Sequence, residues 1–514
     1  MLTRVLALAA GAATVFAFAP FGWAPVTVAA LCLLFVLWAD APTARAGAVL
    51  GFAFGFGLFG AGVSWVFVAL ETFGGMPAPV AVVATAGFVA YLALWPALAG
   101  WVVARFTPPH SVARLVAAAA AWTLAEWLRG FVFSGFPWLA MGYAELLPDG
   151  ALPLGGYAPV GGVFLVSLAV ALCAAGAAGI VAALAAAQPR RIVGCLAGIT
   201  LIVAAGAALT RITWTTPAGE PVAISLVQGN VSQAQKFDPA FRARNFELYD
   251  TLVTLSRGRI VVLPESAFPQ FADEIPGSVF LRLADVGRAR GGAVIVGLFT
   301  AEPPAAPGED ERIYNSVVSL AAEAPQLYRK RHLVPFGETI PLKTFTGWFI
   351  NSVLAIPLAD QAAGPAYQPP FAVAGQKLAV NICYEDVFGA ELLAVARAST
   401  LLVNVTNDAW YGRSVAARQH NQISAFRALE TGRPMLRATN TGITSAIAHD
   451  GRVLAELPWF TQGILEIEIA GREGDTPYLR FGDAPAVVLA CALLLAAVAL
   501  ARRRPRAAAG APTA

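Results

Sequence analysis

Eight apolar runs, each close to the length that crosses a bilayer, constrain this chain more than any other feature of its sequence. Charged residues make up 13% of the chain, against about 25% in soluble proteins, and most of them lie in residues 214–480. The pattern predicts a seven-helix membrane domain (1–213), a soluble domain (214–480), and an eighth membrane helix with a basic tail (481–514). The runs cover residues 5–20, 24–39, 46–70, 79–103, 114–131, 158–187, 192–210 and 484–501.

Arginine in the short connecting segments predicts how the chain is oriented, because cytoplasmic loops of membrane proteins are enriched in positive charge. An amino terminus in the cytoplasm leaves only Arg129 and Arg211 at the outer ends of the helices. Both termini are then cytoplasmic, and the soluble domain lies on the outer face. Residues 5–20 also fit a signal peptide, but another apolar run begins within a few residues. The inner segments hold Arg4, Arg45, Arg105, Arg114, Arg190, Arg191 and the arginines of the carboxyl-terminal tail.

Two further features of the membrane domain have alternative explanations. Gly55–Gly60 matches the dinucleotide fingerprint Gly-x-Gly-x-x-Gly, but it lies within a spanning run and therefore predicts close helix packing. The outer loop Phe131–Tyr143 is rich in aromatic residues, which predicts either a position at the lipid–water boundary or a role in holding acyl chains. Glu126 and Arg129 precede it, and such charges are either functional or extend to the membrane surface.

From about residue 218 the pattern changes to short β-like runs between helical ones, which predicts an α/β sandwich. Three of these runs carry a polar residue within or just after them, and functional groups of α/β proteins gather at the carboxyl ends of strands. We therefore expect three side chains to converge. Arg259–Leu263 is followed by Glu265, Leu327–Val334 carries Lys330, and Leu378–Ile382 is followed by Cys383.

A carboxylate, an ammonium and a thiol together suit acyl transfer. The carboxylate takes the proton of the thiol, and the ammonium stabilises the thiolate and then the oxyanion. Taken singly, Cys383 is equally explained as a small core residue, Glu265 as a surface carboxylate and Lys330 as a solvated charge. Cys383 is nevertheless the only cysteine outside the apolar runs. The chain has only four lysines, at positions 236, 330, 343 and 377, so each of them calls for an explanation.

Other site types find little support in the sequence. The four histidines show no metal-ligand spacing, and no phosphate-binding loop or Gly-x-Ser-x-Gly motif is present, so we expect no metal, no nucleotide and no other cofactor. The sequence also lacks a basic patch for nucleic acid. A Cys–His enzyme with His332 or His420 as base is conceivable, but it would leave Glu265 and Lys330 without a purpose.

Several motifs resemble those of one protein superfamily. The sequences around Glu265, from Lys330 to Glu338, and Ile382–Glu385 resemble the three signatures of the nitrilase (carbon–nitrogen hydrolase) superfamily. The membrane spans, together with Asn404–Gly412, Gln419-His420 and Arg437–Ile443, are closer to the bacterial apolipoprotein N-acyltransferases. This resemblance implies an αββα nitrilase-like sandwich on a multi-span base in the bacterial inner membrane, with the sandwich on the periplasmic face. It also implies transfer of an acyl chain from a phospholipid to the α-amine of a diacylglyceryl apolipoprotein.

The resemblance also implies roles for individual residues. Cys383 attacks a phospholipid ester at the sn-1 position to form a thioester, which the lipoprotein amine then attacks. Phe237 stands where the family often has tryptophan, so the chain keeps an aromatic ring there without the indole N–H. The implied nucleophile, general base and oxyanion stabiliser are Cys383, Glu265 and Lys330; the implied supporting residues are Glu338, Tyr384 and Glu385; the implied substrate-binding residues are Phe237 and Trp410.

The thioester must be protected from water, and we expect the apolar segment Phe345–Leu354 to provide this protection, unless it belongs to the domain core. Two other functions remain open at this level. A membrane-tethered nitrilase or amidase acting on a small soluble amide would use the same acyl-enzyme but would not require a membrane base. A transporter with an accessory domain would need a polar path, and the spans contain almost no charge.

Overall fold

A computed structural model of the chain describes residues 1–304, 310–321, 325–340 and 360–503. Seven helices form a bundle before the sandwich domain, and an eighth returns to this bundle after it. Polar caps begin two of the helices, since the side chains of Thr43 and Ser111 accept from the N–H groups of Ala46 and Arg114. The eight are α1 (Leu2–Ala13), α2 (Pro25–Ala39), α3 (Ala44–Gly62), α4 (Ala78–Phe106), α5 (Val112–Arg129), α6 (Ala158–Ala185), α7 (Pro189–Leu209) and α12 (Ala484–Arg503).

Each predicted span contains one of these helices. Within the described ranges, α3, α4, α6, α7 and α12 are long and apolar enough to cross a membrane, while α1 and α2 are apolar but shorter. The helix α1 packs on α3. A Cβ added to Gly57 would lie 2.0 Å from the carbonyl oxygen of Leu8, and one on Gly55 would lie 2.9 Å from Cα of Ala93. The prediction that Gly55–Gly60 serves close helix packing is therefore confirmed.

The sandwich contains two six-stranded mixed sheets of similar topology. In the first, the order is β14-β3-β4-β5-β6-β7, and in the second it is β13-β12-β11-β10-β9-β8; β3, β4 and β5 are parallel, as are β9, β10 and β11. A short hairpin, β1 (Leu146–Leu147) and β2 (Gly150–Ala151), lies in the preceding loop. The sheets comprise β3 (Thr216–Gln228), β4 (Ile260–Val262), β5 (Ala293–Glu302), β6 (Arg312–Ala321), β7 (Gln326–Arg329), β8 (Phe371–Val373), β9 (Gln376–Ile382), β10 (Leu401–Thr406), β11 (Met435–Thr439), β12 (Ser445–Ile447), β13 (Val453–Glu456) and β14 (Gly463–Glu473).

Helices cover both outer faces of the paired sheets, which confirms the predicted αββα sandwich. On the first sheet α9 packs against β5 and β6, with α8 beside it; on the second, α11 packs against β11 and β12, with α10 beside it. The sheets meet each other through β3 and β11, and α11 also packs on the membrane helix α6. These four helices are α8 (Arg242–Leu255), α9 (Gly277–Ala289), α10 (Gly389–Arg397) and α11 (Ala416–Thr431).

The helix α6 breaks where the sandwich rests on it. Gly161 and Gly162 leave the helical conformation, and Gly162 has φ 69° and ψ −171°, a combination that glycine alone adopts readily. The break leaves the N–H of Val163 without a helical acceptor. The Glu430 carboxylate of α11 accepts that N–H at 2.7 Å and pairs with Arg427 at 3.0 Å. A membrane helix and the soluble domain are thus joined by a buried polar contact.

Replacing Gly162 with alanine is expected to lower the free energy of unfolding by about 2–5 kcal/mol, from backbone strain plus overpacking. A Cβ at this position would lie 2.4 Å from the ring of Tyr478. The measurement is thermal unfolding in detergent, with Gly87→Ala in α4 as the control, because a Cβ on Gly87 would meet nothing within 4 Å. Equal melting temperatures for the two variants would contradict this account of the break.

Candidate active site

The three side chains predicted to converge lie together, each just beyond the end of its strand. Glu265 follows β4, Lys330 follows β7 and Cys383 follows β9, so the two sheets each contribute to the cluster. The Nζ atom of Lys330 lies 3.6 Å from Oε1 of Glu265 and 2.6 Å from Oε1 of Glu338. The three converging residues are buried, with exposures of 7% for Glu265, 1% for Lys330 and 8% for Cys383.

Cys383 is held in a strained conformation at the start of a 3₁₀ turn, Cys383–Val387. Its φ is 55°, in a region that costs a residue with a Cβ about 1–2 kcal/mol, and such strain clusters at functional sites. Its carbonyl accepts from Nδ2 of Asn404 at 3.0 Å. Burial raises the pKa of the thiol, Glu265 raises it further, and Lys330 opposes both. The thiol is therefore protonated at rest and needs a proton acceptor.

Lys330 is a permanent cation in this cluster. Burial acts to lower the pKa of its ammonium, but Glu338, Glu265 and Cys383 outweigh burial and raise it above its usual value. Glu338 is itself fixed, because its second carboxylate oxygen accepts from the N–H of Val334 at 2.9 Å. Glu338 therefore holds the Lys330 ammonium at 2.6 Å from a fixed carboxylate.

Glu385 joins the segment after β7 to the turn after β9. Its carboxylate accepts from the Tyr328 hydroxyl at 2.9 Å, from the N–H of Arg331 at 2.7 Å and from the N–H of Ile382 at 2.6 Å. Burial raises the pKa of Glu385, although these N–H groups and Lys330 oppose the shift. The carboxylate therefore fixes the positions of Lys330 and Cys383 relative to each other.

Asn315, on β6, is a member of the cluster that the sequence analysis missed. Its Nδ2 donates to Oε1 of Glu265 at 2.8 Å, and its backbone carbonyl accepts from the N–H of Lys330 at 2.8 Å. One residue thus holds both the carboxylate and the lysine. The available signal was a carboxamide within a predicted strand, since asparagine is depleted in strands.

The two predicted substrate-binding residues, Phe237 and Trp410, have different surroundings. Phe237 is half-buried and directly follows Lys236, a second lysine whose Nζ donates to the backbone carbonyl of Glu265 at 2.9 Å. Trp410 is also half-buried, and its ring lies edge-on to Phe73 of the membrane unit at 6.0 Å. Phe345–Leu354, the segment expected to exclude water, lies outside the described residues.

The loop Phe131–Tyr143 contacts the site directly. The backbone carbonyl of Gly135 accepts from the Tyr384 hydroxyl at 3.2 Å, and the ring of Phe136 stacks on Tyr384 at 6.3 Å. Tyr384 directly follows Cys383 in the chain, so the loop contacts the residue next to the thiol. At the same time Phe133 is 84% exposed, as expected of a ring at a lipid boundary.

Glu126 and Arg129, near the end of α5, bind backbone groups of this loop. Oε1 of Glu126 accepts from the N–H of Met141 at 3.0 Å, while Arg129 donates to the carbonyl of Trp138 at 2.7 Å and to that of Phe136. Both side chains are buried, so the alternative that they extend to the membrane surface is wrong. They fix the loop because its carbonyl and N–H groups are their partners.

The two histidines considered as bases are engaged elsewhere. His332 contacts Glu391 at 2.9 Å and Ser134 at 3.2 Å through its two ring nitrogens. The nitrogens of His420 lie 2.9 Å from Asp408 and 2.8 Å from Asp386. Neither ring therefore has a free nitrogen for Cys383, whereas Glu265 and Lys330 both act on the thiol. This geometry disfavours a Cys–His enzyme.

His420 belongs to a buried ionic cluster beneath the Cys383 turn. Burial and Arg437 act to lower the pKa of His420, but Asp386 and Asp408 outweigh them and raise it to about 8. The guanidinium of Arg437 lies 2.9 Å from Asp408 and 3.3 Å from Asp386, so two cations neutralise two carboxylates. Asp386 lies within the turn that begins at Cys383, and the cluster therefore anchors that turn to α11.

Comparison with known proteins gives a consistent picture. A family model described as the apolipoprotein N-acyltransferase N-terminal domain matches residues 10–176, and one described as carbon-nitrogen hydrolase matches residues 245–478. A protein named apolipoprotein N-acyltransferase from Nitrosomonas europaea is 47% identical over 96% of both chains. A protein of the same name from Chromobacterium violaceum is 42% identical over 98% of this chain and 95% of its own. Another, from Methylococcus capsulatus, is 41% identical over 98% of this chain and 97% of its own.

Proposed function

Because the chain belongs to the apolipoprotein N-acyltransferase family, we propose that Cys383, Glu265 and Lys330 move a fatty acyl chain from a phospholipid to the α-amine of an apolipoprotein. The chain is a membrane-embedded acyltransferase that N-acylates lipoproteins. The observation that supports the three roles is the buried contact of Lys330 with Glu265 at 3.6 Å, beside a strained thiol on which both act. The acceptor in this proposal is the N-terminal S-diacylglyceryl-cysteine.

In the first half-reaction, Glu265 takes the proton from the Cys383 sulfur, and the thiolate attacks the carbonyl carbon of the sn-1 ester. The negative charge moves to the carbonyl oxygen, where the Lys330 ammonium stabilises it. The bond from carbon to the glycerol oxygen breaks, and this oxygen takes the proton from Glu265. A lysophospholipid leaves, and the acyl group remains on Cys383 as a thioester.

In the second half-reaction, the α-amine of the lipoprotein attacks the thioester carbon while Glu265 accepts a proton from the nitrogen. The carbon–sulfur bond breaks, the sulfur takes that proton, and an amide is released. Glu338 keeps Lys330 charged and in place during both steps, since its carboxylate lies 2.6 Å from Nζ. In this proposal Tyr384 and Glu385 support the site, and Phe237 and Trp410 line the path of the substrates.

We further propose that the sandwich faces the periplasm from the inner membrane and that both termini are cytoplasmic. Contacts of the sandwich with the bundle support a position on one membrane face, because two of them involve loops at the same end of the bundle: the Gln422 side chain accepts from the N–H of Ala19, and that of Gln419 accepts from the indole of Trp138 at 2.7 Å. His110 and Asp40, in two loops at the other end, lie 3.3 Å apart. The membrane domain, catalytic domain and final helix with tail are taken as 1–213, 214–480 and 481–514.

The test uses the purified full-length protein in detergent with phospholipids labelled in either the sn-1 or the sn-2 chain. We expect the sn-1 label alone to appear on the Cys383 peptide by mass spectrometry, together with lysophospholipid, and then on a diacylated lipopeptide. Transfer of the sn-2 label would contradict the regiochemistry. Turnover of small soluble amides without any acylation of the lipopeptide would replace this proposal with the tethered amidase.

A further inference from the structure

Lys236 is buried against the site, although the reaction described above does not use it. Only 6% of its surface is exposed, and its Nζ donates to the backbone carbonyl of Glu265 at 2.9 Å. Glu265 and Cys383 both interact electrostatically with its ammonium. A lysine is seldom buried without a charged partner, and here its partners are two members of the triad.

The chain fixes Lys236 through a series of polar contacts. Lys236 ends the short helix Gln233–Lys236, whose Gln233 accepts from Nδ2 of Asn407 at 2.9 Å. Asn407 in turn accepts from Nδ2 of Asn440 at 3.0 Å, and Asn440 also donates to the carbonyl of Val231 at 2.8 Å. These buried carboxamides hold the segment with Lys236 against the loop after β10. The segment that carries the ammonium is therefore anchored beside Glu265.

The balance of charge gives this ammonium a role. Glu265 and Glu338 contribute two negative charges, whereas Lys330 contributes one positive charge, so without Lys236 the cluster has a net charge of −1 around a neutral thiol. A net negative charge opposes formation of a thiolate. With Lys236 the cluster is neutral. During the reaction one negative charge passes from Glu265 to the Cys383 sulfur, and Lys236 interacts with both positions.

We propose that Lys236 is a second cationic residue of this site, which acts through Glu265 and Cys383 to favour the thiolate form of Cys383. The proposal rests on Cys383 being the nucleophile of the proposed function. Lys236 is thus a positioning residue, whose positive charge lowers the electrostatic cost of placing a negative charge on the Cys383 sulfur beside Glu265. No bond to Lys236 forms or breaks.

The charge on Lys236 also gives the proposal a dependence on pH. Burial lowers the pKa of Lys236 to about 8, although Glu265 and Cys383 oppose the shift. The other groups that act on the thiol are Lys330, after β7, and Asp408, after β10. The ammonium is therefore largely charged at pH 7 and neutral at pH 9.5, so its effect on Cys383 is present at the lower pH and absent at the higher one.

The test measures alkylation of Cys383 by iodoacetamide in the full-length protein, followed by mass spectrometry of its peptide, without any lipid substrate. We expect Lys236→Met to slow alkylation roughly tenfold at pH 7, corresponding to about one pKa unit, and less than about twofold at pH 9.5. Lys236→Arg keeps the charge and should react like the wild type at pH 7. Lys377→Met is the matched control, since Lys377 is exposed on the strand that leads to Cys383.

Two results would overturn the proposal: an unchanged rate for Lys236→Met at pH 7, or an equal loss at both pH values, which a purely structural role would produce. Should Lys236→Met fail to fold, the arginine variant decides the question. Arginine stays charged at pH 9.5, so Lys236→Arg is expected to alkylate several-fold faster than the wild type there, and equal rates would refute the inference. Because no acyl donor is present, failure here is distinguishable from failure of the proposed function.

Discussion

Replacing Cys383 with alanine is expected to lower lipoprotein acylation by roughly 10⁴-fold or more, because the bond that carries the acyl group can no longer form. The substitution removes one sulfur from a buried position that is 8% exposed, and the carbonyl of residue 383 still accepts from Asn404. The variant should therefore fold and insert. The measurement is the yield of N-acylated lipopeptide together with the acyl mass on the peptide that contains residue 383.

Cys491→Ala provides the matched control for this change. Cys491 is exposed on α12, so the same substitution there should leave both the acyl-enzyme and the product unchanged. Lipopeptide acylation that persists in Cys383→Ala, or an acyl mass on any other residue of the wild type, would show that the sulfur of Cys383 is not the carrier.

Replacing Glu265 with glutamine is expected to lower the rate of acyl-enzyme formation by about 10²–10⁴-fold, the usual contribution of a general base. Glutamine keeps an oxygen that can accept from Asn315, which lies 2.8 Å away, so the packing of the site is preserved. The proton acceptor is lost, and so is one of the two carboxylates that pair with Lys330. Single-turnover measurement of lysophospholipid release reports this step directly.

Glu247→Gln is the control for that experiment, because Glu247 is exposed on α8 and its amide should not alter the rate. A small loss of rate in Glu265→Gln, within about threefold of the control, would mean that another group accepts the thiol proton. Since Glu338 also lies beside Lys330, Glu338→Gln would then be the variant to examine next.

The sequence predicted the helices and the meeting of the triad because both depend on local patterns. A long apolar run crosses a membrane wherever the rest of the chain goes, and a polar residue after a buried strand emerges at the edge of its sheet. Glu265 and Cys383 follow the buried strands β4 and β9, whereas Lys330 follows β7, which is only partly buried. Recognising these strand ends placed the three side chains at sheet edges, and the arrangement of the strands in the two sheets then brings them together.

Other parts of the structure arise from contacts between distant segments and left no local pattern. The predicted strand Leu327–Val334 ends at Arg329, because beyond Lys330 the N–H groups of Arg331 and His332 are bound by the Glu385 carboxylate and not by a neighbouring strand. β8 and β13, with three and four residues, were not predicted. Asn315 and Lys236 took part in no recognisable motif, since their roles depend on Glu265, 50 and 29 residues away.

The helix α11 limits how the two halves of the molecule can move. Fifteen of its 16 residues are buried, between a sheet on one side and α6 on the other, and Glu430 ties it to the break in α6. A swing of the sandwich away from the bundle would expose this helix and separate its ionic partners, at a cost of several kcal/mol. In the proposed reaction, both substrates must accordingly reach the Cys383 sulfur while the sandwich stays docked on the bundle. Two successive half-reactions on one sulfur would then proceed without any separation of the catalytic domain from its membrane base.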